Sequence, residues 1–355
     1  MIVVKKNSLK ISIKNQDFDL PFLWLRDNCE CNQCRIKETE EKQFLLHKVS
    51  VNIKPAKVES NHENLVIRWE DDHKTTISLK KILQSSMPRY PKHKFWPKSF
   101  LPSKFRWADF LKDKNTALKA LKDFVQYGAI ILKEAPRKSN SLELLSKRLG
   151  PIHETLFERI HNVSVTGHVY NVAHTSKGLP PHNDFASYKA QPSVQALHML
   201  ENECEGGESI IVDSSKLLND FKEDHPKFFN ILTKFDVPFR EFDDQNETYA
   251  EEPLIKCKND GSVESFRFSN QLMQMINPSR KGINDFYKAF HELSSRIYDY
   301  KYRCKFRLNS GEVLIVASHR VLHAREAFVP NGKRHLQDAY FVYDNAANNI
   351  VLLSS

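Results

Sequence analysis

Two short fragments far apart in the chain, His182-Asn183-Asp184 and His323, the latter followed eleven residues on by Arg334, constrain the fold most. Only a fold that returns the chain to one place brings two imidazoles and a carboxylate together. Such a set occupies three positions of a metal ion and leaves three adjacent ones open, the facial arrangement that suits Fe(II). Arg334 then offers a fork-shaped cation for a carboxylate ligand. Taken alone, His-x-Asp is a common accident, a surface His beside a turn Asp. The surroundings argue otherwise. Lys177-Gly-Leu-Pro-Pro181 is a turn that delivers His182 to the end of a strand, where alternation places His182 and Asp184 on one face. Gly311–Ala317 reads as a buried strand, and Ser318-His-Arg-Val-Leu-His323-Ala-Arg325 crowds charge and imidazole onto the edge that follows. Arg334 opens a further strand, Leu336 to Tyr343, expected to run beside the one carrying His323.

A second cluster lies near the N-terminus. Of the six Cys, three fall in Cys29-Glu-Cys31-Asn-Gln-Cys34. Three thiolates so close suit a tetrahedral Zn²⁺ whose fourth ligand comes from elsewhere. His73 is the best placed, across the acidic turn Glu70-Asp-Asp72 from a strand at Leu65–Trp69; His47 and His62 are weaker choices. The competing reading is three reduced, unconnected thiols. A closed Cys₃His site would hold a small domain together and do no chemistry. Cys204, Cys257 and Cys304 are scattered and read as buried thiols.

At 355 residues the chain has room for one large domain and a smaller one. Residues 1–90 read as short strands at Lys10–Ile13, Lys48–Ile53, Leu65–Trp69 and Thr75–Leu79. Pro-rich residues 86–105 lack a period, which predicts a linker over 91–110 before a main domain at 111–355. That domain opens with a helix at Thr116–Tyr127 stopped by Gly128, a strand at Ala129–Lys133 and a helix at Leu142–Leu149. Short strands then dominate from about 162 to 345, with helices near 215–234 and 281–300. Strands without βαβ alternation predict a mainly β fold, a sandwich or double-stranded β-helix with helices outside. No apolar run approaches the roughly 20 residues of a membrane span. The start, Met1-Ile-Val-Val-Lys-Lys6, lacks a signal-peptide pattern, so a cytoplasmic location is expected. The net charge of +9 is spread along the chain rather than gathered with aromatics, which argues against nucleic acid and for small anionic substrates.

With these residues in view, the chain resembles the γ-butyrobetaine and trimethyllysine dioxygenases, within the taurine-dioxygenase-like Fe(II)/2-oxoglutarate oxygenases. Trp24-Leu-Arg-Asp-Asn-Cys29-x-Cys31-x-x-Cys34 with His73 is similar to that family's zinc-binding N-terminal domain. Gly206-Gly-Glu-Ser209 through Asp213, Arg320-Val-Leu-His323-Ala-Arg325, and Arg334-His-Leu with Ala339-Tyr340 are similar to its oxygenase core. The resemblance implies a jelly-roll (double-stranded β-helix) core behind a small β-rich zinc domain. It implies Fe(II) on His182, Asp184 and His323, with His319 too early to be a ligand. It also implies 2-oxoglutarate on Arg334 with Ser209 and Leu179, O₂ as co-substrate, ascorbate as reductant, structural Zn(II) and a homodimer. The implied reaction is hydroxylation of a C–H with release of succinate and CO₂.

The implied substrate is a small zwitterion, γ-butyrobetaine or a related betaine, hydroxylated in the first case to L-carnitine. In that family a cage of Tyr and Trp holds a quaternary nitrogen by cation–π attraction. The positions that match are Phe157, His161, His174, Phe185 and Tyr340, and only Tyr340 keeps a phenol. Two imidazoles make a poorer cage, above all if protonated. Asn171 and Asn270 match polar positions for the anionic end. An aminoalkylphosphonate is the alternative substrate, and a non-catalytic scaffold the alternative of another kind. The roles of Lys177 and Arg325 stay open.

Overall fold

A computed structural model describes residues 2–164 and 172–354. The chain divides into two compact units, Met1–Arg89 and Tyr90–Ser355.

The first unit holds two three-stranded antiparallel sheets, Ile2–Val4, Ser8–Ile13, Gln16–Pro21 and Pro55–Ser60, Asn64–Trp69, Lys74–Ser78. Ile13 pairs with Gln16, so Lys14 and Asn15 form a two-residue hairpin turn, both at positive φ (47° and 65°). Alternation puts Leu9, Ile11 and Ile13 inward against Leu65, Ile67 and Trp69. Trp69 meets its one polar need by donating from Nε1 to Thr75 Oγ1 at 2.8 Å. The strand expected at Lys48–Ile53 does not form. Leu46–Lys48 is a 3₁₀ turn, Ser50 Oγ accepts from the Asn52 amide, and Val51 is left 75% exposed. The alternating β-branched residues there lack a partner strand to pair with.

In the second unit a six-stranded sheet runs in the order Ser103–Arg106, Ala129–Lys133, Glu312–Val316, Val194–Asn202, Arg334–Phe341, His161–Ser164. A four-stranded sheet runs Leu179–His182, Val321–Arg325, Ser209–Asp213, Arg303–Phe306. This is the jelly-roll arrangement. Period two explains the packing. Ala129, Ile131, Leu314 and Val316 meet Ile211 and Val321 of the other sheet, while Ile130, Leu132, Val313 and Ile315 face helices. Fully burying each of these Val, Leu and Ile side chains stabilises by about 1.5–3 kcal/mol.

The helix Lys114–Tyr127 starts at Asp113, whose side chain accepts from the Thr116 amide, and ends on Gly128 at φ 79°. Against it packs a C-terminal helix, Tyr343–Ser354, through Ala346, Ala347, Ile350 and Leu353. On the outer side of the smaller sheet, Val212 and Leu322 pack with the helices Ser214–Asp224, Pro226–Leu232 and Ile283–Ile297.

Three further expectations change. Residues 103–110 are not linker: Ser103–Arg106 pairs in parallel with Ile130–Lys133, and Trp107 and Phe110 enter the core. The helix expected at Leu142–Leu149 is a 3₁₀ segment, Ser141–Leu145, followed by one α-turn, Ser146–Leu149. The strand of Arg334 lies in the six-stranded sheet, across from that of His323 rather than beside it.

Candidate metal centres and substrate cavity

In the first unit, the helix Phe22–Asp27 delivers Cys29, and a tight turn folds Cys34 back, its amide and that of Arg35 donating to the Cys31 carbonyl at 2.9 and 3.0 Å. The Glu30 amide donates to the Thr76 carbonyl, tying this loop to the strand beyond His73. His73 Nε2 lies 3.3, 3.7 and 3.6 Å from the sulfurs of Cys29, Cys31 and Cys34. A tetrahedral Zn²⁺ with ordinary Zn–S and Zn–N bonds gives such edges of about 3.6 Å, so the four donors fit that ion. Burial and the charge on Cys29 push the Cys34 thiol up to about 12 without the ion. The Arg26 guanidinium, 3.6 Å from the Cys34 sulfur, favours the thiolate.

In the second unit, His182 and His323 are cross-strand partners in the smaller sheet. Opposite residues of an antiparallel pair share a face, which brings the ring centroids to 4.2 Å. Asp184 does not reach them by strand alternation, because the strand ends at His182. A turn carries it there. Asn183 pins that turn: its side chain donates to the carbonyls of Phe266 and Ser318 and accepts from the Phe268 amide. Phe185 follows at φ 53°, a left-handed backbone costly for an aromatic residue. The result puts Asp184 Oδ1 3.0 Å from His182 Nε2 and 3.7 Å from His323 Nε2.

The groups behind this set fix its orientation. His182 Nδ1–H donates to the Pro180 carbonyl at 2.8 Å, which leaves Nε2 as the ligand nitrogen. Asp184 Oδ2 accepts from Gln195 Nε2 and from the Tyr340 hydroxyl, each at 2.6 Å, so Oδ1 points to the histidines. Burial works to raise the Asp184 carboxyl, but His323, His182 and Tyr340 outweigh it and hold it below the usual carboxylate range. Burial, with His182 close by, lowers His323 to about 4, which keeps it neutral as a metal ligand must be.

Arg334 is 9% exposed, and its Nε has no acceptor among the described residues. Burial lowers it to about 10, still charged at neutral pH. Two neighbouring arginines are already engaged. Arg325 donates to the carbonyls of Ala173, Thr175 and Lys177, and Arg307 to those of Asn202, Cys204 and Gly206. Arg325 and Arg334 both lie over the Phe328 ring, at 4.9 and 5.1 Å. Leu179 and Ser209 flank Arg325 as its cross-strand partners. Lys177 is exposed. His319 packs on Tyr343, outside the ligand set.

A cavity of about 340 Å³ opens on the metal side, and Phe157, His161, His174, Phe185 and Tyr340 all line it. Phe185 meets Tyr340 edge-on at 4.9 Å and His161 at 5.8 Å. His161 Nε2 bonds the Thr155 hydroxyl, and His174 Nε2 the Asn162 carbonyl. Asn171 falls outside the described residues. Asn270 is exposed on a turn closed by the Met273 amide donating to the Ser269 carbonyl, and its neighbours Ser269 and Gln271 line the cavity in its place. The sequence reading also passed over two carboxylates in the wall, Glu241 and Asp338, and the ligand-orienting Gln195. Burial and the charge of Asp184 raise Glu241 to about 7. Asp338 rises to about 6, chiefly by burial, with Asp184 adding and His161 opposing.

Residues 92–340 match the taurine catabolism dioxygenase TauD, TfdA family, and residues 2–79 match the gamma-butyrobetaine hydroxylase-like N-terminal family. The chain belongs to the TauD, TfdA family and is an Fe(II)/2-oxoglutarate-dependent dioxygenase. It is 28% identical over 343 residues to gamma-butyrobetaine dioxygenase of Pseudomonas sp. (strain AK-1), covering 93% of this chain and 89% of that one. The Homo sapiens gamma-butyrobetaine dioxygenase is 26% identical, with 94% and 90% covered. The mitochondrial trimethyllysine dioxygenase of Rattus norvegicus is 24% identical, with 94% and 82% covered. Among solved structures, a taurine dioxygenase from Burkholderia xenovorans aligns with a TM-score of 0.52 at 12% identity, covering 71% and 89% of the two chains. The non-heme iron oxygenase OrfP, solved with Fe and alpha-ketoglutaric acid, aligns at 0.50 and 14%, covering 67% and 84%. Both share the jelly-roll core. Among the described residues no helix is long and apolar enough to cross a membrane.

Proposed function

We propose that this chain hydroxylates a C–H of a small amine-bearing acid, γ-butyrobetaine or a close betaine, with 2-oxoglutarate and O₂ as co-substrates. One observation carries the reading: His182, Asp184 and His323 converge, and His182 and Asp184 line a cavity sized for a small zwitterion and walled by aromatic side chains. The gamma-butyrobetaine dioxygenases among its relatives, aligned over almost the whole chain, support the substrate.

The residues divide the work. His182, Asp184 and His323 hold Fe(II), and Gln195 and Tyr340 keep the Asp184 carboxylate turned toward it. Arg334 receives the distal carboxylate of 2-oxoglutarate, assisted by the Ser209 hydroxyl and the Leu179 side chain. When bound, Fe(II) with 2-oxoglutarate and O₂ supplies the oxidation: the substrate C–H becomes C–OH while 2-oxoglutarate leaves as succinate and CO₂. Phe157, Phe185 and Tyr340 exclude water and pack on the cationic end of the substrate. Cys29, Cys31, Cys34 and His73 hold a structural Zn(II) apart from the chemistry. The family likeness supports a homodimer.

The test is succinate formation from 2-oxoglutarate with Fe(II) and ascorbate, across γ-butyrobetaine, trimethyllysine and aminoalkylphosphonates. Coupled turnover of γ-butyrobetaine is expected. Turnover of an aminoalkylphosphonate alone would move the substrate to that class, and no succinate with any of them would remove the hydroxylase reading.

A further inference from the structure

Among the described residues, the cavity wall holds buried acceptor atoms that no donor meets. Asp338 is 5% exposed; its Oδ2 accepts from Gln195 Nε2 and lies 3.0 Å from the Tyr340 oxygen, whose proton goes to Asp184, but its Oδ1 is buried and has no partner among the described residues. Glu241 Oε2 and the Ser269 hydroxyl are likewise buried at the cavity with no hydrogen-bond partner among the described residues. Leaving such groups unpaired costs about 1–3 kcal/mol each, and more when the group is charged.

Among the described residues, the cationic side chains at the cavity are engaged elsewhere. Arg240 lines the same cavity but pairs with Glu247 at 2.7 Å and covers the Phe242 ring. His161 is cross-strand to Asp338, yet its Nε2 is held by Thr155 and no ion pair joins the two among the described residues. Lys177 is exposed. Among the described residues no side chain supplies the donors these carboxylates lack, which leaves that place to the ligand.

We propose that Asp338, with Glu241, reads the cationic head of the substrate through N–H donors, so that the pocket takes ammonium heads bearing at least one N–H at least as well as quaternary ones. The inference rests on the hydroxylase reading and specifies its substrate's head. A quaternary nitrogen meets a carboxylate by charge alone. A tertiary or less substituted ammonium adds a charge-assisted hydrogen bond to Asp338 Oδ1. A site built to bond an N–H discriminates against a head lacking it, because its own polar group stays unpaired. The aromatic wall of Phe157, Phe185 and Tyr340 serves either head.

The probes are γ-butyrobetaine and its dimethyl analogue, 4-(dimethylamino)butyrate, which differ by one methyl against one N–H. Their binding to the anaerobic full-length protein, loaded with Fe(II) and 2-oxoglutarate, is measured by calorimetry, and their turnover by succinate formation. The dimethyl analogue should bind wild type at least as tightly, and Asp338→Asn should weaken it about tenfold more than it weakens γ-butyrobetaine. Glu241→Gln should move the ratio the same way. Wild type binding γ-butyrobetaine tenfold or more tightly than the dimethyl analogue would overturn the inference, with or without a well-folded Asp338 variant. An Asp338→Asn effect equal for both heads would overturn it too, as would binding of neither. Turnover is read separately: binding in the expected ratio without succinate would count against the hydroxylase reading and for the head-group inference.

Discussion

Cys29, Cys31, Cys34 and His73 meet as four donors with every position of a tetrahedral ion accounted for, whereas His182, Asp184 and His323 meet as three and face a cavity. The first cluster is nearly local: three of its ligands sit on one turn, and the fourth joins from the next hairpin. The second is long-range and needs a paired strand, a pinned turn and two orienting groups from the other sheet. A closed set converts ion binding into folding; an open set converts folding into a vacancy for chemistry. The donors differ accordingly, soft thiolates in one and imidazole with carboxylate in the other.

The sharpest way to break this contrast is to remove one donor from each. His182→Ala should cut succinate formation on the order of 10³-fold or more, beyond the 10–100-fold typical of an outer partner, while the melting transition stays. Retained turnover would take the iron away from these residues. Cys31→Ser should do the reverse in the first unit: one equivalent of zinc lost by metal analysis and residues 1–89 opened to proteolysis. Unchanged zinc and unchanged cleavage would mean that the cluster is not a folding site. Next in size, Arg334→Ala should raise the 2-oxoglutarate concentration for half-maximal rate by about 10–150-fold, the loss of a charged bond of about 1.5–3 kcal/mol. An unaltered requirement would assign that role to another cation.

The smallest effect concerns unspent acid in the open site. Glu241 stands near 7 when folded, above its ordinary value of 4.5, so the folded chain binds more protons than the unfolded one between those values. Its contribution to stability therefore falls as pH rises through that window. Glu241→Gln should flatten the fall, stabilising the metal-free protein at pH 8 relative to pH 5 by on the order of 1–3 kcal/mol. Equal melting shifts at the two pH values would show that Glu241 ionises freely.

The two clusters were also unequally legible. Cys29-x-Cys31-x-x-Cys34 carries its geometry in its spacing. His182, Asp184 and His323 could be named from sequence because a strand edge is an unusual place for such residues, but the turn that aims Asp184 could not. It depends on Asn183 reaching the backbone of Phe266, Phe268 and Ser318, contacts that no local pattern encodes. Gln195 and Asp338 escaped notice for the same reason, since each reads as an interior position of an ordinary strand. Glu241 sits in the strand Asp236–Phe242, which forms a two-stranded hairpin with Glu247–Pro253, where a charged residue is expected at the surface. Lys48–Ile53 failed in the other direction, a good strand pattern with no neighbour to bond.

The direct pairing of His182 with His323 has a consequence for how this chain tolerates insertions and deletions. Opposite residues stay opposite only while the ladder keeps its register, and sliding one strand by a single residue turns its side chains to the other face. One residue gained or lost within Val321–Arg325 would point His323 away from its partner, though the sheet could still form. The same change in the loop between Phe242 and Glu247 would leave the ligand pair untouched. The spacing between the two histidines along the chain is therefore free, and their alignment across it is not.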